Sequence, residues 1–122
     1  MSYNWGPFYI VPSDVLKSYS GNVLLRENFS EDLLRKELEK NGISEPVVRI
    51  SNPWYYRQKN ADTWIKIGES TDRQGNFPAR WNTTNLENGK YEIMGMMHVF
   101  VGKGAQEKAI ARQNIVEVTV EN

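Results

Sequence analysis

The chain has 122 residues, 39% of them hydrophobic, with no cysteine and with 15 basic side chains balanced by 15 acidic ones. That length suits one domain with a core of its own, and the missing cysteines exclude disulfides, thiolate catalysis and thiolate metal sites. Zero net charge removes any long-range pull toward nucleic acid or anionic membrane, and no window approaches the ~18 apolar residues of a spanning helix.

Met1 to Pro12 lack the basic start and long apolar run of an export signal, so a cytosolic chain is the default expectation. Phe8 to Val11 reads as a short strand, and the flanking Pro7 and Pro12 confine it to a sheet edge. Asn22 to Arg26 is a second strand. A helix is expected over 30–41, with Ser30 as N-cap, Glu31 and Asp32 in the first turn and Gly42 just past the end. Phe29 and Leu34 have staple spacing, and Glu31/Arg35 and Asp32/Lys36 are i,i+4 pairs. Its apolar stripe, Leu34 and Leu38 with Leu33 beside them, is narrow, as in a helix that lies on a surface.

Everything after residue 46 reads as strands and turns. Val47 to Ile50 and Pro53 to Lys59 are extended, Asn60-Ala61-Asp62 turns, and Thr63 to Gly68 returns with Trp64, Ile65 and Ile67 as strand formers. Asp72 to Asn76 is a polar loop. Phe77, Ala79 and Trp81 share a parity and so one side of a strand. Lys90 to Val101 is a long strand, Gly102-Lys103-Gly104 a hairpin turn and Ala109 to Val120 the last strand. In that strand Val116, Val118 and Val120 oppose Glu117 and Thr119.

The segment Trp81-Asn82-Thr83-Thr84-Asn85-Leu86-Glu87-Asn88-Gly89-Lys90-Tyr91 resembles the W-D-T-x-x-L-x-x-G-x-Y run of bacterial immunoglobulin-like and fibronectin-type-III-like modules. Asn82 stands where Asp is usual. The resemblance covers about residues 46–122, with Gly21 to Glu27 as an earlier strand, and implies an all-β, antiparallel immunoglobulin-like sandwich; with the length it gives a single domain over 1–122, in which the helix about 30–41 departs from the family pattern as an insertion. It further implies a tyrosine corner: Tyr91 bonding back to nearby backbone, Leu86 packed beneath it, Gly89 allowing the turn and Trp81 in the preceding strand. It implies little about function, because such modules serve many roles.

Catalytic chemistry has little to build on. His98 is the only histidine, no G-x-S-x-G run is present, and the carboxylates show no paired geometry. Gly102-Lys103-Gly104 is followed by no helix and is no phosphate cradle. Arg49, Arg57, Arg73, Arg80 and Arg112 are scattered, which argues against a nucleic-acid face. The expectation is a chain with no enzyme activity, no metal and no cofactor.

Two features point to binding. Trp54, Tyr55, Tyr56 and Trp64 share one predicted hairpin, so alternation sends at least one ring outward, with Tyr55 and Trp64 the candidates. In the long strand, Tyr91, Ile93, Gly95, Met97, Val99 and Val101 share one face, yet the other carries Met94, Met96 and Phe100. A sheet with one wet side alternates apolar and polar, so something is expected to cover that second face. The cover expected first is the chain's own helix through Leu34 and Leu38, or the region of Tyr9, with another subunit as the rival.

The resulting expectation is a non-catalytic interaction or structural module, a subunit or adaptor in an assembly. Its partner is another protein or a second copy, met through Met94, Met96, Phe100, Tyr55 and Trp64. The alternative is a carbohydrate-binding module that stacks an oligosaccharide on Tyr55 and Trp64.

Overall fold

The computed structural model describes residues 2–4, 10–11, 19–27, 31–102 and 107–122. They form β1 (Ser2–Asn4), β2 (Ile10–Val11), β3 (Asn22–Glu27), α1 (Glu31–Lys40), β4 (Val47–Gln58), β5 (Ile65–Ser70), β6 (Ala79–Asn82), β7 (Gly89–Val101) and β8 (Lys108–Val120). The strands make two sheets, one of five in the order β1-β8-β7-β4-β5 and one of three in the order β2-β3-β6. All pairings are antiparallel except β1 on β8. Phe8, Tyr9, Phe29, Ser30, Lys103 and Gly104, on which parts of the first strand, the helix start and the hairpin turn were expected, lie outside the described residues.

The alternation of the long strands explains the layers. On β7, Tyr91, Ile93, Met97, Val99 and Val101 are buried, and on β8, Ile110, Val118 and Val120. These residues share the inward face of the five-stranded sheet, and two bodies cover it. Over one half lies the small sheet, which brings Val23, Leu25 and Trp81 against Trp54, Tyr91, Ile93, Val118 and Val120. Over the other half lies α1, which brings Leu34 and Leu38, with Ile43, against Ile50, Met97, Val99, Val101 and Ile110.

The helix therefore packs on the inward face, not on the outer face of Met94, Met96 and Phe100 where it was the expected cover. The reason lies at its ends. The chain enters α1 from β3, already above the inward face, and leaves it through a tight C-terminal lock. Gly42, at φ 76°, ends the helix in the left-handed region. The Gly42 amide donates to the Glu39 carbonyl (3.0 Å) and the Ile43 amide to the Leu38 carbonyl (2.8 Å). That is the Schellman pattern, with Ile43 packing in one core cluster with Leu38.

Two expected strands, Val47 to Ile50 and Pro53 to Lys59, are one strand, β4. Pro53 lacks an N–H, and pairing to β7 lapses between Ser51 and Trp54 without breaking the strand. Phe77 lies before β6 rather than in it. Asn76 and Phe77 both have positive φ (62° and 56°), which turns the Phe77 ring into full burial. The Phe77 amide donates to the Asp72 carbonyl (2.9 Å), and its own carbonyl accepts Trp54 Nε1–H (2.9 Å). Those bonds hold a conformation that a bulky residue rarely adopts.

Candidate functional site

On the outer face of the five-stranded sheet, β7 presents Glu92, Met94, Met96, His98 and Phe100. The ladders set Arg57, Tyr55, Ser51 and Arg49 of β4 beside Glu92, Met94, His98 and Phe100 in that order. On the other side β8 sets Glu117, Ile115, Gln113, Ala111 and Ala109 beside the same five β7 residues. Met94 is buried at the centre, where the Gln113 side-chain amide donates to its sulfur (2.9 Å). Tyr55, Met96, His98 and Phe100 are half-buried, and Ile115 is exposed.

Both ends of this apolar strip are closed by ion pairs. At one end the Arg49 guanidinium lies 3.8 Å from the Phe100 ring centroid and bonds Glu107 (2.8 Å). At the other, Arg57 bonds Glu92 (2.9 Å) and Lys59 bonds Glu117 (3.2 Å). The Arg57–Glu92 pair is half-buried and the other two are more exposed; surface pairs contribute little stability each, but they hold charges in place around the strip. Of the sequence-predicted residues, Met94, Met96, Phe100 and Tyr55 thus share one face. Trp64 sits just before the edge strand β5, with the Arg57 guanidinium 4.2 Å from its ring centroid. One face of that ring is therefore taken by a cation, which limits it as a stacking platform.

Among the described residues, the other aromatic rings point inward. Trp54 and Trp81 are buried, and Tyr56 lies 5.3 Å from Trp81 and 6.3 Å from Tyr91 between ring centroids. The chain runs from β6 of the small sheet into β7 of the large one through residues 83–88. At the end of that crossing the Tyr91 hydroxyl donates to the Glu87 carbonyl (2.8 Å), with Leu86 packed against the same core and Gly89 opening β7.

A buried polar belt separates the two halves of the core, and sequence reasoning did not foresee it. Asn52 on β4, Gly95 on β7 and Asn114 and Arg112 on β8 all face inward, and Glu27 ends β3 above them. The four side chains are at most 1% exposed. Asn114 Nδ2 donates to Glu27 Oε1 (3.2 Å). Burial pushes the Glu27 carboxyl up to about 7, opposed by the Arg112 charge, by the hydrogen bond from Asn114 and by the nearby Asn52 amide. A Cβ at Gly95 would stand 2.5 Å from Glu27 Oε2, so the glycine leaves room for the carboxylate. The available signal was polar residues at inward parity: Asn52 between Ile50 and Trp54, and Arg112 and Asn114 between Ile110 and Val116.

A groove of about 640 Å³ opens at the end of the molecule where the β4–β5 turn faces the β6–β7 crossing. Tyr56, Tyr91, Leu86 and Ile65 give it apolar surface, and Arg57, Gln58, Asp62, Thr63, Asn85 and Glu87 give it polar surface. Among the described residues, no group of three or more His, Asp or Glu side chains is arranged to hold a metal ion, and no helix is long and apolar enough to cross a membrane.

A scan against protein-family models finds no match to this chain. A search of curated proteins and a search of solved structures likewise find no match.

Proposed function

We propose that this chain is a non-catalytic protein-interaction module, a subunit or adaptor that docks through the outer face of its five-stranded sheet. The observation that carries the reading is the apolar strip of Tyr55, Met94, Met96, Phe100 and Ile115, closed at both ends by ion pairs. No described element of the chain itself lies over it. An apolar centre inside a charged rim is the usual anatomy of a protein contact, and methionines adapt to the surface they meet. We further propose that the framework is an immunoglobulin-like sandwich. The order β1-β8-β7-β4-β5 facing β2-β3-β6, and the Tyr91 hydroxyl bonded back to Glu87 across the sheet-to-sheet crossing, support it.

The test is a light-scattering concentration series combined with affinity capture, on the parent chain and on Met96→Glu and Phe100→Glu. Either self-association or a specific partner is expected for the parent and is lost in both variants, because each buries a charge in the contact. A parent chain that stays monomeric at every concentration and recovers no partner contradicts the reading.

A further inference from the structure

We infer that the groove between the β4–β5 turn and the β6–β7 crossing is a binding site for a neutral oligosaccharide, separate from the outer sheet face. Its volume, about 640 Å³, is in the range of small-molecule sites. Its chemistry narrows the ligand. Apart from the Arg57 Nε–H bonded to Glu92, the side chains of Arg57, Gln58, Asp62, Thr63, Asn85 and Glu87 make no hydrogen bond to another described residue. Donors and acceptors therefore stand unspent on both walls: Gln58, Asp62 and Thr63 on the turn side, Asn85 and Glu87 on the crossing side.

A sugar hydroxyl donates one hydrogen bond and accepts others, so it needs this mixture. Anions do not, because Asp62 and Glu87 repel them and the single cation, Arg57, is held by Glu92 and the Trp64 ring. A cationic ligand would leave the donors of Arg57, Gln58, Thr63 and Asn85 without acceptors. Beneath the polar groups, Tyr56 and Tyr91 are held in a ring cluster with Trp81, and Ile65 is 50% exposed. Tyr91 is 2% exposed and only backs the groove, so the apolar surface open to the C–H face of a pyranose is that of Ile65 and the half-buried Tyr56, with the sugar hydroxyls reaching the walls. The inference does not rest on the docking face, and neither depends on the other.

The test is backbone-amide NMR of the full chain, titrated to about 10 mM with hexasaccharides of α- and β-linked glucose, mannose, xylose and N-acetylglucosamine. At least one sugar is expected to shift the amides of Gln58, Asp62, Asn85 and Glu87. Asp62→Ala and Asn85→Ala, each checked as folded by its own spectrum, are expected to weaken that binding by about tenfold. Met96→Glu is expected to leave it unchanged. Should a variant misfold, Asp62→Asn and Glu87→Gln take its place, with the same expected direction. Three results overturn the inference: a flat titration across all five sugars, shifts confined to Tyr55 and Trp64, or groove amides that respond to spermidine more strongly than to any sugar.

Discussion

At Glu27 a carboxyl is fully buried in the belt of Asn52, Gly95, Arg112 and Asn114, and its titration is tied to folding. Burial raises it from an ordinary value of 4.5 to about 7. Below pH 4.5 both folded and unfolded chains hold the proton, and there is no penalty. Between 4.5 and 7 the unfolded chain releases it while the folded chain keeps it, so stability falls as pH rises, by a total on the order of 3 kcal/mol. Above 7 this contribution is flat. Urea unfolding is expected to give a midpoint that drops across that window in the parent chain and changes far less in Glu27→Gln, which is the more stable of the two at pH ~8. Gly95→Ala, which sets a methyl against Glu27 Oε2 and 3.4 Å from the Trp54 ring, is expected to cost about 1–3 kcal/mol. In a Glu27→Ala background the same change costs less. Along the chain only the inward parity of Asn52, Arg112 and Asn114 hints at this belt. A polar residue at inward parity reads locally as a break in the pattern, and only the β3–β8 juxtaposition, 87 residues apart in sequence, turns Glu27 and Asn114 into partners. The outward set Met94, Met96 and Phe100 was legible because parity alone decides it once Tyr91 faces in.

Among the elements, α1 shows how local signals can be right while the docking inferred from them is not. Leu34 and Leu38 are the buried residues of the helix and Gly42 ends it, both readable from spacing and residue type. The face that the helix covers depends on where β3 delivers the chain, and no periodicity encodes that. Leu38→Ala removes a fully buried side chain packed in the cluster of Val99 and Val101, and is expected to lower stability by about 2–5 kcal/mol in chemical denaturation. The crossing from β6 to β7 is the opposite case: a run of residues with turn chemistry read in the sequence, and a local hydrogen bond in the structure. Tyr91→Phe removes only the bond to the Glu87 carbonyl. It is expected to cost about 1 kcal/mol in a denaturant titration with the fold retained. The sequence reads Val47 to Ile50 and Pro53 to Lys59 as two extended segments, which the structure joins as β4. The structure keeps it whole because the lapse in the β7 ladder falls at the proline.

For the molecule as a whole, the distribution of apolar surface matters more than any one contact. The inward face of the large sheet is shared between the small sheet and α1, which together satisfy it. The outer face carries the remaining apolar residues of β7, and Arg49 and Gln113 cover them only in part. Met96→Glu is therefore expected to change stability by less than about 1 kcal/mol while abolishing association, since it alters no packed core contact. Hydroxyl-radical footprinting of Met96 and Phe100, in the isolated chain and in freshly opened source cells, reads the state of this face directly. The account predicts fast labelling of both residues in the isolated chain diluted until light scattering reads a monomer, and strong protection either in the cell extract or at concentrations where the chain self-associates. Equal labelling in all of these settings would contradict it.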